Sequence, residues 1–346
     1  MTSRDTVNRR IVLASRPNGE PVTGNFRLED TPIPEPGDGQ MLLRTLYLSL
    51  DPYMRGRMDD AASYAAPVEV GDVMEGATVC EVVASRLEGF QAGDLVVAGS
   101  GWQTHALSDG GGVVRLPADM KRPSLALGIL GMPGLTAWHG LTRIGRPAEG
   151  ETVVVSAATG AVGSVVAQLA RLRGTRVVGI AGSPEKCRYA VDTLGMDACV
   201  NHRDDDLEQA LERACPDGID VYFENVGGRV QRAVLPLLNV GARIPLCGLI
   251  AHYNANALPQ GPDRTPQLLR TLLVRRATMQ GFIILDHWDE MTEFQREVAP
   301  LVESGQLHYR EDEVSGIERA PEAFLGLLRG ENFGKLVVHV GGRGSH

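Results

Sequence analysis

Residues 151–163 read ETVVVSAATGAVG and contain the clearest signal for the fold of this chain. Its first half is a short β-branched run, Glu151–Ser156, of the kind that forms a strand buried on both faces. Gly160 and Gly163 follow, and apolar residues then recur at helical spacing as far as Leu172. We therefore predict a strand, a tight glycine turn and a helix, which together make the first unit of a parallel sheet.

The same alternation of strands and helices continues along the chain. A helical pattern covers Pro184–Leu194, and the further strand-like runs are 176–181, 198–201, 219–224, 242–247 and 279–284. Strands that alternate with helices are typical of a doubly wound parallel sheet, because each helix carries the chain back to the same edge. The predicted fold class is therefore α/β, with a Rossmann-type domain that we place at residues 128–304.

The N-terminal region has a different pattern. Short apolar runs at 41–47, 78–84 and 95–98 are broken by Gly, Pro and Asp, which is typical of an all-β, barrel-like unit. A last strand-like run, Leu336–Val340, closes the chain, and we expect it to return to this unit. The first domain is therefore assigned residues 1–127 and 305–346.

Composition narrows the class of function. The 346 residues carry a formal net charge of -9 with both signs mixed, which disfavours nucleic acid or an anionic membrane surface as a partner. The N-terminus is polar and no run of about 18 apolar residues occurs, so we expect a cytoplasmic protein that does not span a membrane. The five cysteines are scattered and never spaced as CxxC. That pattern predicts reduced thiols without a disulfide framework.

The glycine turn predicts a nucleotide site. Gly160 lets backbone amides approach a pyrophosphate, and Gly163 lets the helix begin close to the strand, where its N-terminus faces the phosphates. The next strand ends in Ala181-Gly182-Ser183 instead of the Asp or Glu that holds the ribose hydroxyls of NADH. Small residues leave room for a 2′-phosphate and Lys186 follows, so the sequence favours NADPH.

Eight segments, spread over nearly the whole chain, form a recognisable set. They are NRR (8–10), LDPYMRGRM (50–58), LGMPGLTA (130–137), AATGAVG (157–163), FENVGG (223–228), CGLIAHYN (247–254), QGFII (280–284) and NFGK (332–335). With them the chain resembles the zinc-independent medium-chain dehydrogenase/reductase superfamily. Within it, the likeness is to leukotriene B4 12-hydroxydehydrogenases, prostaglandin reductases and plant 2-alkenal double-bond reductases, and above all to bacterial NADPH-dependent curcumin/dihydrocurcumin reductases.

The resemblance implies an N-terminal GroES-like β domain, a Rossmann domain, a cleft between them and a homodimer joined through the Rossmann domains. At His202 many relatives carry Tyr, but an imidazole can still stack on a base or donate to a phosphate. Carried over residue by residue, the family's NADPH contacts fall on Thr136, Thr159, Gly160, Ala161, Val162, Gly182, Ser183, Lys186, His202, Asn225, Cys247, Gly248, Tyr253, Phe282, Ile283, Ile284 and Asn332.

Zinc alcohol dehydrogenases share this architecture but differ at the metal. They need Cys, His and acidic ligands around the catalytic zinc and a lobe with four cysteines. Around the matching position this chain reads GDVMEG (71–76), with no His beside Glu75, and the four-cysteine lobe is missing. We therefore expect catalysis without a metal.

The chemistry of the family sets what the protein must supply. A hydride from the nicotinamide adds to the β-carbon of an α,β-unsaturated carbonyl compound and an enolate develops, so a hydrogen-bond donor must meet its oxygen. Tyr253 is the first candidate, because it follows a strand at the carboxyl edge where ligands of α/β proteins bind. A ribose hydroxyl of the cofactor is the alternative donor. Tyr64 is the second catalytic candidate, and with Tyr53, Met54 and Met132 it is expected to line an apolar substrate site for an enone, enal or curcuminoid.

Three other functions stay open beside this one. A quinone oxidoreductase uses the same cofactor and fold, although such enzymes usually lack the segments around Tyr53 and Tyr253. Oxidation of an alcohol with NADP is harder without zinc or a strong base. A non-catalytic NADPH-binding sensor needs neither Tyr253 nor an open apolar cleft. The sequence therefore favours an NADPH-dependent reductase of conjugated carbon–carbon double bonds.

Overall fold

The computed structural model describes residues 7–257 and 261–342. The chain forms two compact units. The first comprises residues up to Gly128 together with residues from Glu311 onward, and the second runs from Ile129 to Arg310. In the described part of the chain, no helix combines the length and the apolar character that crossing a membrane requires.

The first unit is built on a seven-stranded, mostly antiparallel sheet. Numbered in chain order, its elements are β1 (Val7–Leu13), β2 (Phe26–Pro32), β3 (Met41–Ser49), α1 (Met54–Arg57), β4 (Thr78–Ser85), β5 (Leu95–Ala98), β6 (His105–Ser108), β7 (Val114–Arg115), β14 (Glu311–Ser315), α9 (Ala320–Leu328) and β15 (Lys335–His339). The strand order is β14-β15-β3-β4-β5-β7, and β6 also pairs with β3. β1 and β2 form a separate antiparallel pair.

Aromatic side chains form the centre of the core of the first unit. The ring of Trp102 stacks on Phe26 with the ring centroids 5.6 Å apart, and it meets Phe324 edge-on, also at 5.6 Å. Such aromatic pairs contribute about 0.5–1.5 kcal/mol beyond the burial of their area. Leu336 of β15 packs into the same cluster, so the last strand-like run of the sequence completes the sheet of this unit.

The second unit is a six-stranded parallel sheet. Its elements are α2 (Met132–His139), β8 (Thr152–Ser156), α3 (Gly163–Leu172), β9 (Arg176–Ala181), α4 (Pro184–Asp192), β10 (Ala198–Asn201), α5 (Leu207–Ala214), β11 (Ile219–Phe223), α6 (Gly228–Val234), β12 (Leu238–Leu246), α7 (Thr265–Arg275), β13 (Thr278–Gly281) and α8 (Met291–Glu303). The strand order is β10-β9-β8-β11-β12-β13. The predicted doubly wound Rossmann-type α/β fold is confirmed.

Two strands differ from their predicted bounds by more than two residues at one end. β12 begins at Leu238, earlier than expected, because the exposed Val240 and Gly241 interrupt its apolar pattern. β13 ends at Gly281, earlier than expected, because the chain turns at Phe282 into a short helical segment, Ile284–Glu290. Residues 282–284 therefore lie beyond the sheet at its carboxyl edge.

Candidate functional site

Glycine shapes the turn between β8 and α3. A Cβ at Gly163 would lie 2.3 Å from the carbonyl oxygen of Ala157, so no larger residue fits without a backbone shift. Ala157 itself has a φ of 50°, in the left-handed region that costs a non-glycine residue roughly 1–2 kcal/mol. No side chain caps the N-terminus of α3, whose N-cap residue is Val162. The amide groups of this turn therefore suit an anionic ligand.

Small and basic side chains meet at the carboxyl end of β9. The imidazole of His202 lies over Gly182, where a Cβ would be 3.1 Å from Nε2. Ser183 begins α4, and its hydroxyl oxygen accepts a hydrogen bond from the backbone N–H of Lys186 at 3.2 Å. Four of the predicted NADPH contacts thus lie around one turn.

Positive charge dominates the surroundings of His202. Burial, and then the charges of Arg203, Arg229 and Lys186, lower the pKa of His202, because each disfavours the imidazolium form. Burial is the largest cause of this shift, and the three cations are the part of it that favours a phosphate. Residues 181–183 at the strand end include no acid, so this turn fits the 2′-phosphate of NADPH better than the bare ribose of NADH.

A buried carboxylate joins the ends of β8 and β11. The Oε1 of Glu224, a fully buried residue, accepts hydrogen bonds from the hydroxyl of Ser156 at 3.1 Å and from the backbone N–H groups of Val226 and Gly227 at 2.7 and 2.9 Å. The side-chain amide of Asn225 donates to the carbonyl oxygen of Ser156 at 2.8 Å. This network fixes the predicted cofactor residue Asn225 at the carboxyl edge of the sheet.

The segment after β12 is tied to the same edge. The backbone N–H groups of Cys247 and Gly248 both donate to the carbonyl oxygen of Glu224, at 2.9 and 3.1 Å. A Cβ at Gly248 would lie 3.0 Å from the hydroxyl oxygen of Tyr253, so this phenol lies against the backbone beyond β12. Burial and the charge of Glu224 raise the pKa of the Cys247 thiol to about 12. Cys247 therefore packs, and it is not a nucleophile.

The remaining predicted residues of the second unit lie on α2 and beyond β13. Phe282 packs on the π-helical turn after α2, since a Cβ at Gly140 would be 2.9 Å from its ring. Thr136 is buried, and its hydroxyl donates to the carbonyl oxygen of Met132 at 2.8 Å. Ile284 is buried as well. Of this group, Phe282, Ile283 and Met132 keep part of their surface exposed.

In the first unit, Arg57 contacts both predicted substrate tyrosines. Its guanidinium carbon is 4.3 Å from the ring centroid of Tyr64 and 5.8 Å from that of Tyr53. It also donates to the carbonyl oxygen of Ala65 at 3.0 Å, and its Nε lies 2.6 Å from Oε1 of Glu75. Tyr64 remains 52% exposed. Arg57 is buried and therefore anchors an accessible aromatic ring.

Both tyrosines keep their phenolic proton at neutral pH. Burial and the negative charges of Asp51 and Glu75 raise the pKa of Tyr53 well above its ordinary value. Burial also raises the pKa of Tyr64, against the opposing effect of Arg57. Each phenol is therefore a neutral hydrogen-bond donor.

Met54 and Asn332 occupy positions that the sequence pattern does not reveal. Met54 is fully buried in the core of the first unit with Leu48 and Trp102. The expectation that it lines an open substrate wall is therefore corrected, because α1 turns this side chain inward. Asn332 is partly exposed in the turn before β15, where its side-chain amide donates to the carbonyl oxygen of Gly334 at 2.8 Å.

A parallel sheet with a glycine turn at its carboxyl edge, in a chain with a second β-rich unit, defines the class of two-domain dinucleotide-binding proteins. A family model described as the N-terminal domain of oxidoreductase matches residues 9–116, and one described as zinc-binding dehydrogenase matches residues 161–301. The NADPH-dependent curcumin reductase of Escherichia coli (strain K12) is 56% identical over 97% of this chain and 97% of its own length.

Two further comparisons agree. Prostaglandin reductase 1 of Mus musculus is 43% identical over 92% of this chain and 95% of its own length. The crystal structure of CurA in complex with NADPH from Vibrio vulnificus matches with a TM-score of 0.94 and 55% identity, over 97% of this chain and 100% of that chain. The chain therefore belongs to the medium-chain dehydrogenase/reductase family.

One of the two matching family models describes zinc-binding dehydrogenases, so a catalytic metal has to be considered. Glu75, in the segment 71–76 that is expected to match the zinc site of those dehydrogenases, is paired with the guanidinium of Arg57 at 2.6 Å. Over residues 7–257 and 261–342, the one group of three His, Cys, Asp or Glu side chains close enough to share an ion is His139, His287 and Glu290, in the second unit. Among the described residues, the His, Cys, Asp and Glu side chains of the first unit therefore do not fit a catalytic zinc ion.

Sequence reasoning missed two residues that organise the site. A buried acid leaves no mark on an apolar strand pattern, so the sequence assigns Glu224 no role. Arginines are usually solvated, so the sequence assigns Arg57 none either. The signal for each is its neighbourhood: Glu224 stands between a buried strand and two glycines, and Arg57 stands between two tyrosines in the chain.

Proposed function

We propose that this chain reduces the carbon–carbon double bond of α,β-unsaturated carbonyl compounds with NADPH, without a catalytic metal. The assignment of NADPH rests on the basic turn at the end of β9, whose residues 181–183 include no acid. Burial and three neighbouring cations lower the pKa of His202 at this turn. The double-bond chemistry is supported by the relatives, a curcumin reductase and a prostaglandin reductase that align over most of the chain.

The nucleotide half of the site is assigned to backbone and basic groups. The turn at Gly160–Gly163 and the N-terminus of α3 bind the pyrophosphate, because their amides carry partial positive charge. Lys186, Ser183 and His202 bind the 2′-phosphate beside Gly182. Bound NADPH supplies the hydride.

The reacting half is assigned to Tyr253. Its hydroxyl lies at the carboxyl edge of the sheet against Gly248, and a phenol donates one hydrogen bond while neutral. In this role it meets the substrate oxygen as negative charge develops there, which lowers the barrier more in a water-poor site than in water. The alternative donor is a hydroxyl of the cofactor ribose, and water then protonates the α-carbon.

The substrate is proposed to be a small apolar enone, enal or curcuminoid. Tyr53 and Tyr64 are assigned to its binding surface, since Arg57 holds both rings and Tyr64 is half exposed. A flat aromatic substrate can stack on such a ring. Met132, which is partly exposed on α2, is assigned to the same role.

A homodimer through the second unit is part of the proposal. β13 is the last strand in the described order of its sheet, and an open edge invites pairing with a second copy. α7 buries none of its residues, and Leu273 is 78% exposed. Leu273→Lys is expected to shift the chain from dimer to monomer in light scattering, whereas Leu172→Lys, at an exposed leucine of α3, is expected to leave the dimer intact.

A cytoplasmic location completes the proposal. All five cysteines are free thiols, as is usual where glutathione keeps thiols reduced.

The deciding experiment measures NADPH and NADH oxidation with an enal, an enone, curcumin and a quinone. We expect turnover of the conjugated carbonyl compounds with NADPH only. Turnover of the quinone alone would contradict the proposed reaction, and tight NADPH binding without any turnover would indicate a sensor. Tyr253→Phe is expected to lower kcat by about 100-fold if the phenol is the donor, with NADPH affinity kept. Tyr309→Phe, after α8, is the matched control for loss of a hydroxyl.

A further inference from the structure

A second group of polar side chains in the second unit has no role in the proposed reaction. His139 is the last residue of α2, and His287 and Glu290 belong to the short helical segment Ile284–Glu290. One ligand atom from each side chain lies within 4.8 Å of the ligand atoms of the other two. The imidazole of His139 is buried, whereas His287 and Glu290 are partly exposed. The cluster therefore opens to solvent on one side.

The distances within the cluster are close to those of a coordination site. His139 Nδ1 is 2.8 Å from Glu290 Oε2, and the rings of His139 and His287 stack with centroids 3.9 Å apart. Two donor atoms that bind one zinc ion at ~2.1 Å in a tetrahedral arrangement are ~3.4 Å apart. An imidazole nitrogen coordinates a metal in the plane of its ring, so the partly exposed His287 ring has to rotate out of the stack to share an ion with His139.

The surroundings hold the ligands and balance the charge. The ring of His139 packs against Phe282, with centroids 5.4 Å apart. The guanidinium of Arg143 lies 3.5 Å from Oε1 of Glu290. The carboxylate of Glu293 pairs with the same guanidinium at 2.6 Å. Glu293 therefore offsets the charge of Arg143, and a metal ion would take the place of the proton shared between His139 Nδ1 and Oε2 of Glu290. Groups that orient ligands in this way raise the affinity of metal sites.

We propose that His139, His287 and Glu290 bind a divalent transition metal ion of the zinc class. Two imidazoles and one carboxylate suit zinc, copper and nickel, and three protein ligands leave a fourth position for water. The site is separate from that of zinc dehydrogenases, which is expected around residues 71–76 of the first unit. The ion takes no part in the hydride transfer proposed above, so the two proposals stand or fall independently.

The test is a titration of the full-length, chelator-treated chain with zinc chloride by calorimetry, and with Co²⁺ by visible absorption. We expect one ion per chain with micromolar affinity and a cobalt spectrum that shows coordination by nitrogen and oxygen. His287→Ala and Glu290→Gln are each expected to weaken zinc binding by at least about tenfold. His308→Ala, at an exposed histidine of the same unit, is expected to bind zinc like the wild type.

Two results would overturn the proposal. The first is the absence of saturable zinc or cobalt binding by the wild-type chain. The second is wild-type affinity in the His287→Ala variant. This variant decides the matter because it keeps the pairs that Glu290 makes with His139 and Arg143, and circular dichroism checks that its fold is unchanged.

Discussion

The turn at the end of β9 and the segment around Tyr64 are both assigned to ligands, but they are held in different ways. At the first, Gly182 leaves the space that the His202 ring occupies, and Ser183 caps the helix that carries Lys186. Backbone geometry fixes this region over a few residues. At the second, one buried guanidinium, that of Arg57, contacts the ring of Tyr64 and the carbonyl of the next residue.

Because they are held differently, the two regions are expected to tolerate amino-acid substitutions differently. A site that is formed by backbone turns is disrupted when a substituted glycine brings a Cβ against a backbone carbonyl, because the backbone cannot move aside without changing the turn. A site held by one long side chain loosens by degrees, because a cation–π contact contributes only about 0.5–2 kcal/mol. Changes to the nucleotide end are therefore expected to weaken NADPH binding strongly, and changes near Tyr64 are expected to alter substrate preference.

The largest effect is expected from Gly163→Ala. Its new Cβ would lie 2.3 Å from the backbone carbonyl of Ala157, so the turn must shift, and NADPH binding should weaken by about 100-fold. Fluorescence titration of NADPH measures the effect. Gly56→Ala is the control in the first unit, because a Cβ there meets nothing within 4 Å. Unchanged affinity in Gly163→Ala would show that this turn does not hold the nucleotide.

Lys186→Ala should have the next largest effect. A charge-assisted hydrogen bond to a phosphate contributes about 1.5–3 kcal/mol, so KM for NADPH should rise by about 10–100-fold while KM for NADH changes little. Steady-state kinetics with both cofactors give this ratio. Lys121→Ala, at an exposed lysine of the first unit, should change neither. An equal loss for both cofactors would remove Lys186 from the 2′-phosphate.

A smaller effect is expected at Tyr64. In Tyr64→Ala the surface over Arg57 is lost, and KM for curcumin should rise by about 3–10-fold, since the ring contact contributes about 1 kcal/mol. KM for a small aliphatic enal should change less, because it has no aromatic ring to stack on Tyr64. Tyr64→Phe keeps the stacking and should behave like the wild type toward curcumin. If Phe and Ala have the same effect, the hydroxyl and not the ring is what matters.

The sequence predicted much more about the nucleotide end than about the Tyr64 segment. Gly160, Gly163 and the small residues 181–183 are spaced within one strand–turn–helix unit, so local pattern suffices to predict their place. The partnership of Arg57 with Glu75, and that of Glu224 with Ser156, join residues distant in the chain. Such pairs depend on tertiary packing, as does the burial of Met54, and periodicity does not encode them.

The smallest effect concerns thiol reactivity at the nucleotide end. Cys187, on α4 beside Lys186, has a lowered pKa because the Cys199 thiol donates a hydrogen bond to it, whereas the pKa of Cys247 is raised to about 12. Both residues are partly exposed. A thiolate is the reactive form, so iodoacetamide should modify Cys187 first and continue to do so as pH falls below the range of an ordinary thiol.

Peptide mass spectrometry over a pH series measures this order, and Cys187→Ser should remove the fast phase. Faster labelling of Cys247 than of Cys187 would be inconsistent with the packing described for the segment after β12.

The most direct test of the proposed reaction follows the hydride itself. The chain is incubated with an enone and NADPH deuterated at the transferred position of C4, and the product is examined by NMR and mass spectrometry. We predict a saturated ketone with one deuterium on the former β-carbon. An unsaturated alcohol with deuterium on the carbonyl carbon, or a product without deuterium, would contradict reduction of the conjugated double bond by hydride transfer.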